Sequence, residues 1–283
     1  MIKRKMTKQT MIGQTQIAKR FVRLALVVLT CGFCLGSDAP GSSATSQLPD
    51  LLRRTREQMS EYLDRFSDVR CTERVVQEKF RDGKDKIDLK EESTYDYLVM
   101  LSNTGGELNL TESRLPVHQA RSDKKNRSLL VSNGFATLFL VFHPLYANSF
   151  EFNTAGKEVV NGHRLTRVAF RHIRGTRTPA ALALRGREYP LELSGTAWID
   201  TDTAVIARIS AGIDNTMVDV GLNTLQTDVE FVPVPFHDPE KTYWFPSRAI
   251  VEVETPRQHW RNTHEFTNYK RFEVSTEEQV ATK

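Results

Sequence analysis

Seven histidines, one cysteine beyond residue 44 and a few carboxylate-rich turns are the side chains of this 283-residue chain best suited to chemistry. A metal centre needs imidazole, thiolate or carboxylate ligands at hairpin or helical spacing. His259 and His264 stand five apart in a segment that reads as a strand, so they face opposite sides of it. His143 precedes Pro144 and His237 precedes Asp238, both in loop-like surroundings, and no His-Glu-x-x-His pair occurs. Asp200-Thr201-Asp202-Thr203 begins like a calcium loop but lacks its glycine and closing glutamate, so an Asx-type hairpin turn is expected. No Gly-x-Ser-x-Gly elbow is present; Ser132-Asn133-Gly134 reads as a turn and Gly105-Gly106 as another, not as a phosphate cradle. Asn109-Leu-Thr111 and Asn126-Arg-Ser128 match glycosylation sequons, a pattern common by chance. Cys71 shares strand parity with Val69 and Val75, which makes it a core residue rather than a nucleophile. These residues call for no catalytic group, no metal and no cofactor.

The apolar residues carry a stronger signal. Tyr95, Tyr97, Phe170, Trp198, Phe231, Trp244, Trp260, Phe266 and Tyr269 are spread over separate strand-like segments. Plain cross-strand packing accounts for such a set. The sharper reading is an apolar concave face that binds a greasy ligand, lined by Tyr95, Tyr97, Val99, Phe135, Phe139, Phe170, Trp198, Phe231, Trp244 and Phe266.

Holding them requires a sheet and something packed on it. Leu48, Leu51, Leu52, Thr55, Met59, Tyr62, Leu63 and Phe66 recur at spacings of three and four, which predicts an amphipathic helix over 48–66. Beyond it the period becomes two. Val69–Phe80 is a strand, Asp82-Gly83 a hairpin turn, and in the next strand Ile87, Leu89, Tyr95, Tyr97, Val99 and Leu101 point one way. A third strand follows Thr104-Gly105-Gly106, and residues 116–128 form a polar loop. The run Gly134–Phe142 is apolar on all sides and stops at His143-Pro144; a short buried helix and a buried strand both fit it. Then come a strand at Phe150–Phe152, a hairpin turning at Asn161-Gly162, a loop or lid at 175–190, and a hairpin around 200–203. Strands at 225–232, 243–254 and 260–274 bring the total to about ten, with two or three helices.

Charge and leader place the chain outside the cytoplasm. Lys3, Arg4, Lys5, Lys8, Lys19, Arg20 and Arg23, with Asp38, fall within the first 44 residues; removing them from 39 basic and 35 acidic groups leaves 32 and 34, a net of −2. The remainder has no field to attract nucleic acid. Arg20–Arg23 precedes the apolar run Leu24–Leu35, too short for a stable spanning helix, and Ser42-x-Ala44 offers small residues for cleavage after Ala44. Lipidation at Cys31 or Cys34 and an uncleaved anchor are the rivals, and Met11 is an alternative start. With Cys71 alone in the remainder, no intramolecular disulfide forms there. The number of subunits is left open.

Gly195-Thr-Ala-Trp-Ile-Asp200 running into Ala204-Val-Ile-Ala-Arg-Ile209, and Tyr243-Trp-Phe-Pro246 before a strand, resemble the periplasmic lipoprotein-carrier and outer-membrane lipoprotein-receptor superfamily, the LolA/LolB-like proteins. The resemblance implies an α+β fold: a strongly curved antiparallel half-barrel with helices on its concave face and acyl chains lying between. The expectation is one such domain over 45–283, whose partner is a lipid or a lipoprotein acyl chain. A filled-core module that binds an envelope protein is the alternative. The extra loops at 116–128 and 175–190 depart from the small carriers, and no residue here matches their lid-opening arginine.

Overall fold

A computed structural model describes residues 47–66, 69–81, 86–104, 107–117, 135–184, 187–236 and 242–271. The leader with Ala44, the Asp82-Gly83 and Ser132–Gly134 turns, His237 and all but the start of the 116–128 loop lie outside these residues. Among the described residues no helix is long and apolar enough to cross a membrane.

The chain enters through α1, Gln47–Phe66. Its apolar stripe buries Leu51, Leu52, Met59 and Leu63, and Thr55 joins them by returning its hydroxyl to the Leu51 carbonyl at 2.9 Å. On the wet side Arg53 reaches Asp50 and Glu57, each at 2.8 Å, one helical turn away in either direction. The side-chain hydrogen bonds from Arg53 and Arg54 hold the Asp50 carboxyl below its usual value.

Three antiparallel strands follow: β1 (Val69–Phe80), β2 (Ile87–Thr104) and β3 (Glu107–Pro116). The apolar run then forms a 3-10 helix over Phe135–Phe142, which settles the helix-or-strand question. It ends where Pro144 cannot continue it. The remaining strands are β4 (Phe150–Val160), β5 (His163–His172), β6 (Ala181–Leu184), β7 (Arg187–Pro190), β8 (Leu193–Asp200), β9 (Ile206–Ile213), β10 (Thr224–Val234), β11 (Tyr243–Glu254) and β12 (His259–Arg271).

Ten of these make one antiparallel sheet in the order β3-β2-β1-β12-β11-β10-β9-β8-β5-β4, while β6 and β7 pair apart from it. After β3 the chain crosses to the far edge and works back until β12 meets β1. The edges β3 and β4 do not pair, so the sheet is an open, curved half-barrel. Its bend has local causes. Register shifts interrupt the ladders at Arg70/Thr72, Lys79/Phe80, Thr154/Gly156, Trp198/Ile199 and Glu230/Phe231, and each bulge turns its strand and adds twist. At β4 the shift falls on Gly156, whose φ of 137° suits a residue with no side chain.

The concave face carries the main core: Val168, Phe170, Ile199, Ile209, Val229, Phe245 and Phe266, with α1 and the 3-10 helix packed on it. Gly195 belongs to this packing. A Cβ there would stand 2.1 Å from the Ser210 carbonyl and 2.8 Å from the Phe170 ring, so a bare backbone is what lets Phe170 lie across β8. The convex face is a charged one, with Arg74 bridging Glu92 and Glu265, and Arg208 gripping Asp228.

The architecture is the α+β sheet with concave-side helices that the sequence implies, with local differences. Phe150–Phe152 and Val159–Val160 are parts of one bulged strand, because the bulge at Gly156 hides the alternation between them. The loop at 175–190 contains the β6–β7 hairpin. Ile87 is exposed, since the shift at Lys79/Phe80 breaks its phase with Tyr95 and Tyr97.

Candidate functional site

The helix meets the sheet through a column of rings. Tyr62 of α1 stands edge-on to Phe139 at 5.1 Å and tilts against Phe245 at 5.6 Å; Phe245 in turn stacks on Tyr269 at 5.0 Å. The Tyr269 hydroxyl donates to the Pro246 carbonyl at 2.5 Å. Burial, and after it the nearby Cys71, raise the Tyr62 phenol well above its ordinary value, so it stays neutral. Cys71 lies in the same packing, its thiol pushed up to about 12 chiefly by burial, so it is an inert core group as expected.

Beside this column a cleft of about 60 Å³ remains between helix and sheet. Thr55, Met59 and Tyr62 line it from α1 and Phe139 from the 3-10 helix. Ala204, Val205 and Ile206 come from the β8–β9 turn, Phe231 from β10, and Tyr243 and Trp244 from β11. Gln58, Val205, Thr242 and Trp244 also belong to a wider polar groove of about 580 Å³, whose other walls are Arg54, Glu57, Asp202 and Thr203. Apolar slot and polar trough thus share a wall, a layout suited to an amphipathic molecule. The slot is small. A dry cavity that holds benzene measures about 150 Å³.

The rim is built by the turn after β8. Asp200 is buried; its Oδ1 accepts from the amides of Asp202 and Thr203 at 3.0 and 2.9 Å, the Asx geometry expected from the sequence. Its Oδ2 meets His163 Nδ1 at 2.9 Å. Burial pushes this carboxyl up, but the Thr203 amide, His163 and the Asp202 amide outweigh it, and the group sits below its ordinary value. Arg54 ties α1 to the same turn, donating to the carbonyls of Thr201 and Asp202 at 3.0 and 3.1 Å. Lys157 of β4 donates to Gln47 at 3.0 Å at the start of the helix.

A second polar cluster lies on the concave face toward the β3 edge. Glu73 accepts two hydrogen bonds from Arg114, at 2.5 and 3.0 Å, and meets His264 Nδ1 at 2.7 Å. Arg114 also faces Glu112 at 3.1 Å and lies over the Tyr97 ring at 5.1 Å. Here β3, β1 and β12 are joined by side chains across the face of β2.

Of the residues expected to line a ligand site, Phe139, Phe231 and Trp244 border the cleft. Tyr97, Val99, Phe170 and Phe266 are buried in the surrounding core, Tyr97 against Phe266 at 5.4 Å and Phe170 against Phe142 at 6.0 Å. Tyr95 is half-buried on β2, opposite Glu73. The backbone of Phe135 belongs to the 3-10 helix, and its side chain lies outside the described residues. Trp198 is a correction. It alternates with the buried Ala197 and Ile199, faces the convex side, and carries the Arg208 guanidinium over its ring at 4.7 Å. Cleft residues not anticipated as lining include Thr55, Met59 and Tyr62, with Gln58 and Glu61 beside them on α1, the segment Ala204–Ile206, and Thr242 and Tyr243. The apolar stripe of α1 already marked the first three.

No protein-family model and no curated protein sequence matches the chain. Solved structures do. A DUF1329 family protein from Desulfovibrio piger shares 13% identity over 82% of this chain and 95% of its own, with a TM-score of 0.40. A LolA superfamily protein from Nitrosomonas europaea shares 11% identity over 80% and 94%, with a TM-score of 0.34. An outer membrane lipoprotein-sorting protein domain from Vibrio parahaemolyticus shares 11% over 80% and 94%, with a TM-score of 0.40.

Proposed function

We propose that this is an exported binding protein, periplasmic or secreted, that holds a lipid or the acyl chain of a lipidated protein between α1 and the concave sheet. On this reading residues 1–44 are a cleaved leader and 45–283 one binding domain. The observation that carries it is the apolar cleft bordered by Met59, Tyr62, Phe139, Phe231 and Trp244, which shares a wall with a polar groove at the surface. Burial alone supplies the affinity. At about 25 cal/mol per Å², an acyl chain of several hundred Å² gains several kcal/mol before ordering costs. No residue has to form or break a bond.

At about 60 Å³ the cleft accommodates only the tip of such a chain, so binding requires α1 to move outward. What the reading asks of the helix is compatible with its attachment: side chains packed on the sheet, hydrogen bonds donated by Arg54 to the β8–β9 turn, and one accepted by Gln47 from Lys157, all near its first turns.

Native mass spectrometry of protein purified from its own envelope tests this. The expected result is a copurified lipid-sized mass that a detergent wash removes and a fluorescent fatty acid replaces. Protein that is repeatedly bare and ignores such probes would instead favour an envelope protein-interaction module with a filled core. The narrowness of the cleft is the observation on that side.

A further inference from the structure

We propose that His163 is the polar anchor of this site, holding the anionic oxygen of a single-chain amphiphile whose tail enters the cleft. The proposal rests on the reading of the cleft as a lipid site and adds the chemistry of the ligand's other end. His163 begins β5, and its ring meets Trp244 edge-on, with centroids 5.5 Å apart and planes at 88°. Trp244 is a wall of both cleft and groove, so the imidazole stands one ring away from the apolar slot.

Its orientation is fixed from behind. The Asp200 carboxylate can only accept, so the contact at 2.9 Å requires His163 Nδ1 to be the donor. Asp200 is itself immobilised by the two turn amides. That leaves Nε2, which has no partner among the described residues, on a side chain 47% exposed. Carboxylate-backed imidazoles are held in one tautomer and one direction in this way. Protonated, Nε2 donates a charge-assisted hydrogen bond to a carboxylate or phosphate oxygen.

Glu61 lines the cleft, and three acids around its rim are held by arginines. Asp50 is bound by Arg53 and Arg54, Glu57 by Arg53, and Asp202 by Arg164. Arg54 is spent on Asp50 and on the Thr201 and Asp202 carbonyls. His163 thus has an atom to offer beside a rim whose groove-lining groups Gln58, Thr203 and Thr242 carry no charge.

The test compares dodecanoate with dodecanol, equal in chain and different in head, by displacement of a polarity-sensitive fluorophore in mildly acidic buffer. The exported protein is expected to bind dodecanoate more tightly relative to dodecanol by about tenfold. His163→Gln should erase that ratio, lowering the affinity for dodecanoate far more than that for dodecanol. In the unmutated protein the His163 ring signals, followed by NMR, should move with dodecanoate and stay still with dodecanol. Equal affinity for the two ligands, a preference that survives His163→Gln, or a His163 ring that ignores dodecanoate overturns the assignment while leaving the cleft in place. Failure of both ligands to bind removes the cleft reading and this one together.

Discussion

Glu73 is wholly buried, and its charge is accounted for atom by atom: two hydrogen bonds from Arg114 and one contact with His264. Burial alone would push the carboxyl up, but His264 and Arg114 outweigh it and hold it below its ordinary 4.5. Arg114 stays charged against its own burial because Glu73 and Glu112 face it. A carboxyl depressed in the folded state contributes stability above its unfolded value, about 4.3, and loses it as pH falls through the folded value. Urea titrations should therefore show the protein weakening below about pH 4, with a shallower decline in Glu73→Gln. An acid limb of the same depth in both would refute the assignment. Arg114→Ala strands a buried carboxylate and should cost about 3–5 kcal/mol at neutral pH. The cluster was invisible in the sequence because its three members come from β1, β3 and β12, and Glu73 and His264 are 191 residues apart.

At the scale of elements, α1 is tied down near its start and enters β1 within a few residues of its end. Arg54 makes the tie to the Thr201 and Asp202 carbonyls. In Arg54→Ala, amide hydrogen exchange over 50–62 should speed several-fold while β8–β12 stay protected, because local opening and global unfolding are separate events. Uniform exchange across helix and sheet would mean α1 opens only with the whole fold. The helix was legible because a stripe at spacings of three and four survives in one dimension, and β1 because Val69, Cys71 and Val75 keep phase. Elsewhere bulges hid local detail. The shift at Gly156 hid the unity of β4, and the shift at Lys79/Phe80 put Ile87 in water. For Trp198 the information was present. In Leu193-Ser-Gly-Thr-Ala-Trp-Ile199 it shares parity with Ser194 and Thr196, the polar side, and its size drew it wrongly into the apolar set. The His163–Asp200 contact spans 37 residues and followed from no local pattern, although the turn that fixes Asp200 did.

For the molecule as a whole, the decisive comparison is between a cleft of about 60 Å³ and the proposed acyl ligand, several times larger. Two edges leave the half-barrel free to splay, and the polar groove offers a route in along Gln58, Val205, Thr242 and Trp244. A chain that must wait for α1 to lift binds with a rate set by lifting rather than by collision once probe is abundant. The observed rate of uptake of a fluorescent fatty acid in stopped flow should therefore level off with probe concentration at a first-order limit, with an initial slope below the usual association range of about 10⁵–10⁷ M⁻¹s⁻¹. Loosening the tie raises the open population, so Arg54→Ala should raise the plateau several-fold, and the same variant should bind more tightly because less of the binding energy is spent on opening. A rate that climbs linearly without limit, unchanged in Arg54→Ala, would mean that the probe finds a ready-made surface elsewhere and that α1 is a fixed part of the core. The two outcomes separate a fold that encloses its ligand from one that merely displays a greasy patch.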